Sequence, residues 1–130
     1  MITSILRLQF KDGVNEAEIQ RVLSIIERTA KAESVAFYSI GRYFGDPQEG
    51  FTHAYCVGIP DLTALDRYFR EPAHREGDFQ FIPLLAKLSQ MTVLDDPDPD
   101  MLVKIAACRN AAVDPEWMAL FDRIGKTDQA

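Results

Sequence analysis

Histidine, tryptophan and cysteine are all scarce in this 130-residue chain, which holds two, one and two of them. Cys56 and Cys108 form no Cys-x-x-Cys pair, so the sequence offers neither a disulfide framework nor a zinc-site spacing. The two histidines, His53 and His74, are too few for a metal centre. Hydrophobic residues never run to the roughly 18 that a membrane span needs. Basic residues are outnumbered, 14 Lys and Arg against 20 Asp and Glu, for a net charge of −6. Without clustered cations, neither a phosphate backbone nor an anionic lipid surface is an expected partner. Also missing are a glycine-rich phosphate loop and a nucleophile-elbow serine. The start, MITSILRLQFKDG, lacks the basic n-region of a secretory leader. With no disulfide pattern, the expected location is the cytoplasm.

What is present is the balance of a globular domain, 47% hydrophobic and 26% charged. Ile2 to Phe10 alternates, with Ile2, Ser4, Leu6, Leu8 and Phe10 on one face, and predicts a strand. Lys11-Asp12-Gly13 turns the chain. Asn15 then caps a helix whose apolar stripe is Ile19, Val22, Leu23 and Ile26. Val35–Phe44 and Phe51–Ile59 predict two more strands. In the second of these, Thr52, Ala54, Cys56 and Gly58 form a small-residue side suited to packing under a helix. Leu62–Arg70 predicts a helix broken at Pro72. Ala73–Gly77 reads as a short turn, Phe79–Leu88 as a partial helix and Met91–Leu94 as a short fourth strand. The run from Asp95 to Asp100 carries four aspartates and two prolines and is a solvated linker. Beyond it lie an Ala-rich apolar stretch, Met101–Val113, and a helix capped by Asp114-Pro115 and running through Ile124 to Gly125.

The order β-α-β-β-α-(α)-β predicts an α+β fold, a ferredoxin-like four-stranded antiparallel sheet with helices on one face. Helices cover one face only, and an apolar uncovered face is something monomers avoid. The expected solution is a homodimer whose two sheets make one α/β barrel. A C-terminal helical extension is added to it, and that extension must dock on the core or on a partner chain.

Few polar residues could carry chemistry. His74 follows Pro72-Ala73 just past a broken helix, and Tyr68 lies six residues earlier. An imidazole with a phenol nearby can act as a base with an orienting or electrophilic partner. The structural alternative is a His74 that holds its loop through a backbone carbonyl. His53 lies mid-strand beside Tyr55 and could place a polar group inside an apolar cavity, or sit at the barrel edge with one hydrogen bond.

The stretches Ile2–Gly13 and Gly50-Phe51-Thr52-His53, and above all Tyr68 followed by Pro72-Ala73-His74-Arg75, resemble the stress-responsive dimeric α/β-barrel (Dabb) family. The resemblance covers roughly residues 1–96, which it implies are the barrel domain. Residues 97–130, the acidic linker and helical extension, have no counterpart in it. Many members have no known activity. One plant member, olivetolic acid cyclase, closes a linear polyketide without metal or cofactor, using a histidine and a tyrosine that match His74 and Tyr68. The implied site therefore has His74 and Tyr68 as catalytic residues, with His53, Tyr55, Leu6 and Leu8 binding the substrate. The implied ligand is a small aromatic or polyketide-like molecule, taken without metal or cofactor. If the chain is an enzyme, it is a cyclase or isomerase. The other readings are a binding protein without turnover, and oxidation or haem handling of the related antibiotic-monooxygenase kind. The latter favours a tryptophan in the barrel, whereas Trp117 belongs to the tail.

Overall fold

The computed structural model describes the backbone of residues 1–129 and the side chains of residues 1–124. Among these residues four strands make one antiparallel sheet: β1 (Ile2–Phe10), β2 (Phe37–Arg42), β3 (His53–Ile59) and β4 (Leu85–Leu94), in the order β2-β3-β1-β4. Helices α1 (Glu16–Ala30), α2 (Leu62–Arg70) and α3 (Pro72–Phe81) cover one face, which is the ferredoxin-like arrangement. Register decides which side chains meet them. Ile2 pairs with Ile59, Leu6 with Tyr55 and Leu8 with His53, so these six share the helix-covered face. There they bury against Val22, Ile26, Leu65, Tyr68 and Phe81, and Leu8 is wholly enclosed at 0% exposure.

Local signals start the helices where the sequence places them. The Asn15 side chain accepts from the Glu18 amide at 2.8 Å while Glu18 reaches back to the Asn15 amide, a capping box. Asp61 accepts from the Ala64 amide at 2.8 Å to cap α2.

Several expectations are corrected. Ala73–Gly77 is the first half of a ten-residue helix, because Pro72 occupies its first position, where the missing N–H has no partner to lose. Phe79–Leu88 is not one helix. α3 stops at Phe81, Pro83 sits in a 3-10 turn over Ile82–Leu84, and β4 begins at Leu85. The exposed outer half of the edge strand β4 gives no alternation that would mark the start of a strand at Leu85. Lastly, the small side of β3 is the side without helices. Ala54, Cys56 and Gly58 lie opposite Arg7, Ile5 and Thr3 on the open face, and the Phe37 ring lies over Gly58, where a Cβ would sit 2.0 Å from it.

The apolar stretch after the linker is a helix, α4 (Met101–Ala112), followed by α5 (Pro115–Gln129). Gly125 does not end α5, since one glycine costs a helix only about 1 kcal/mol relative to alanine. Both helices dock on their own chain. Val113, Trp117, Leu120 and Ile124 join the same core as the sheet, α4 lies against α2, and α5 lies along β4.

Candidate functional site

Docking α4 and α5 over α2, α3 and the sheet leaves a cavity of about 90 Å³. On that measure a single water needs roughly 10–15 Å³, so there is room for a small organic group. Strands supply Leu6 and Tyr55, α2 supplies Tyr68, α3 supplies His74 and Asp78, and the extension supplies Ile105, Arg109, Trp117 and Phe121.

Helix α3 aims His74 inward from its first turn and brings Asp78 to the same side one turn later. The His74 Nδ1 lies 3.1 Å from the main-chain carbonyl oxygen of Tyr68. A carbonyl only accepts, so Nδ1 donates, and the neutral ring carries its lone pair on Nε2. This is the loop-holding bond foreseen as the structural alternative, and it leaves the other nitrogen available. Nε2 is 3.8 Å from Asp78 Oδ2, beyond hydrogen-bond reach but within ion-pair distance. The imidazole is packed on three sides, tilted at 4.4 Å from the Tyr68 ring, stacked at 5.9 Å on Phe69 and edge-on at 5.1 Å to Trp117.

Asp78 is 5% exposed, and its Oδ2 accepts the Trp117 indole N–H at 2.7 Å. Burial pushes its carboxyl above the usual range, an effect opposed by His74, the indole donor and Arg109. A proton arriving on His74 Nε2 would face this carboxylate at 3.8 Å. Burial, with the Asp78 charge added, pushes the Tyr68 phenol well up, and burial does the same to Tyr55. Both stay protonated donors at neutral pH. Neither hydroxyl has a hydrogen-bond partner among the described residues.

Of the six site residues read from the sequence, four line the cavity: His74, Tyr68, Tyr55 and Leu6. His53 and Leu8 do not. They lie toward the far end of the sheet, where His53 Nδ1 meets Thr52 Oγ1 at 2.8 Å and the ring packs edge-on against Phe10 at 5.5 Å. Desolvation lowers the His53 pKa, so burial holds the ring neutral. Sequence reasoning missed Asp78, Arg109 and Trp117 as site residues. The spacing of Asp78 to His74 was a usable signal once 72–81 is a helix. Trp117 carried none, because only the docking of α5 brings the tail's tryptophan to the cavity. Among the described residues no group of three His, Cys, Asp or Glu is placed to hold a metal ion, and no helix is long and apolar enough to cross a membrane.

Comparison with known proteins agrees with this architecture. A hydroxynitrile lyase from Passiflora edulis superposes with a TM-score of 0.65 at 18% identity, over 74% of this chain and 94% of that one. A dimeric ferredoxin-like protein of unknown function from Thermobifida fusca gives 0.63 at 18% identity, over 71% and 88%. A Dabb family protein with a ferredoxin-like fold from Mesorhizobium loti gives 0.65 at 16% identity, over 73% and 96%. At these identities the likeness is one of fold. No curated protein matches the sequence significantly. The model of the stress responsive A/B barrel domain matches residues 2–95, which contain the whole sheet, α1 to α3, His74 and Asp78; the chain belongs to the Dabb family.

Proposed function

We propose that the cavity binds a small aromatic or polyketide-like carbonyl compound and that His74 and Tyr68 move a proton on it without metal or cofactor. The observation that carries this reading is the bond from His74 Nδ1 to the Tyr68 carbonyl, which leaves Nε2 as a lone pair inside an apolar cavity beside a buried carboxylate. His74 Nε2 takes the proton from an acidic C–H, and Asp78 stabilises the imidazolium. The Tyr68 phenol, with Tyr55 beside it, donates to the oxygen on which the enolate charge develops. Return of the proton to another carbon, or attack of the enolate on a second carbonyl of the same molecule, completes an isomerisation or a cyclisation.

The proposed working unit is a homodimer in a reducing compartment such as the cytoplasm. The helix-free face presents Phe37, Met91 and Val93, the last 55% exposed, around Ile5 and Cys56. A second copy of the same face would cover them, as sheets do in aligned packings. Val93→Asp is expected to give monomers in sedimentation equilibrium, and a wild type that sediments as a monomer would overturn the dimer.

The test of the site is a thermal-shift screen with phenolic acids, polyketide-like lactones and haemin on wild type and His74→Ala, followed by deuterium uptake from D₂O into any hit. Ligand at about 100 times its dissociation constant adds roughly 2.7 kcal/mol to the folded state. The reading expects a phenolic or lactone hit whose C–H exchange is lost in His74→Ala. A hit with no exchange would mean binding without proton transfer. Stabilisation by haemin alone would favour the haem branch.

A further inference from the structure

The cation on the cavity wall has no acceptor hydrogen-bonded to it among the described residues. Arg109 is the one lysine or arginine lining the cavity among the described residues. It makes no hydrogen bond or ion pair to them, and its guanidinium carbon rests 5.7 Å from the centre of the Phe121 ring. The one carboxylate of the lining, Asp78, feels the charge of Arg109 but is hydrogen-bonded to Trp117 and not to the guanidinium. Ile105 and Arg109 are one turn apart on α4 and Val113 caps its C-terminus, so this helix and its cap turn one side to the cavity with the arginine between two apolar residues. A leucine there would fill the space as well. An arginine instead sets a fork of five N–H donors beside an apolar chamber, held by an aromatic ring and left without acceptors.

We propose that the helical extension makes this cavity selective for carboxylates: the ligand is an aromatic or keto acid whose carboxylate is held by Arg109, with its apolar body toward Tyr55 and Leu6 and its reactive carbon toward His74. Arginine meets a carboxylate with two parallel N–H···O bonds, and this fixes orientation as well as affinity. The arginine and its Phe121 support lie beyond residue 95, outside the matched domain, so this selectivity belongs to the extension. The inference rests on the cavity being the ligand site.

Trp117, the chain's single tryptophan, lines the cavity and reports occupancy by its fluorescence. The experiment titrates the full chain with benzoate, 4-hydroxybenzoate and 3-phenylpropanoate, each beside its primary amide, in wild type, Arg109→Gln and Arg109→Lys. The expected result is that at least one acid binds tenfold or more tighter than its amide. Arg109→Gln should remove that preference and Arg109→Lys keep part of it. Equal affinities for acid and amide in the wild type, or a preference that survives in Arg109→Gln, would overturn carboxylate selectivity and leave the cavity as a ligand site. No binding of any acid or amide would overturn both. The wild-type and Arg109→Lys comparisons decide the matter even if Arg109→Gln fails to fold.

Discussion

The carboxylate of Asp78 and the indole of Trp117 are joined by a 2.7 Å hydrogen bond between groups 39 residues apart. It ties the helix that carries His74 to the helix that closes the cavity. A second tie lies one turn earlier, where Arg75 donates to Asp114, the residue that caps α5 through the Trp117 amide. The extension is thus fastened to α3 at two points within about a turn of His74.

Trp117→Phe keeps an aromatic ring, though a smaller one, and removes the indole donor, leaving a buried carboxylate with one partner fewer. A loss of about 1–3 kcal/mol is expected in urea unfolding. Trp117→Phe combined with Asp78→Asn should lose less than the sum of the two single changes, because the neutral amide is cheaper to bury unpaired.

Asp78 also sets a pH dependence. Its folded pKa is raised, so between the unfolded value of about 4 and the folded value the native state binds more protons than the unfolded chain. Stability therefore falls as pH rises through that window and is level above it. Asp78→Asn should remove this fall, which melting temperatures measured from pH 4 to 7 would show.

His53 acts in the opposite sense. Its folded pKa is lowered by burial, so below about 6.5 the unfolded chain takes up the proton first. Stability is full above that value and falls as pH drops toward the folded pKa. His53→Gln should flatten the acid-side loss without changing ligand affinity, since His53 lies off the cavity. A change in affinity would return His53 to the site.

Gly77 faces α1 so closely that a Cβ would sit 2.9 Å from Ile25 Cγ2. Gly77→Ala gains about 1 kcal/mol of helix propensity but must push α1 and α3 apart, at a cost of roughly 1–3 kcal/mol. A net loss is expected in denaturant unfolding, and Ile25→Ala made in the same chain should recover the propensity gain.

Leu8 fills the centre of the helix-covered face, so Leu8→Ala should lose about 2–5 kcal/mol, the largest single loss among these variants. Ligand affinity of the folded fraction should be unchanged, because Leu8 is outside the cavity wall.

The sequence by itself determined the elements whose signals are local: the alternation of β1, the capping box at Asn15, the cap at Asp61 and the Asp114-Pro115 start of α5. It also brought His74, Tyr68 and Tyr55 under suspicion, because polar groups among apolar strands and beside a helix break stand out in one dimension. Only tertiary structure decided which face of β3 meets the helices, since register with β1 sets that and both faces alternate equally well in sequence. The helix across 72–81 was hidden by reading Pro72 as a stop when it is a first-turn residue, and with it went the one-turn spacing of His74 to Asp78. Arg109 and Trp117 were legible as nothing more than residues of a tail. Their place at the cavity follows from two helices burying an apolar stripe on the sheet and on α2, a long-range packing that no local pattern encodes.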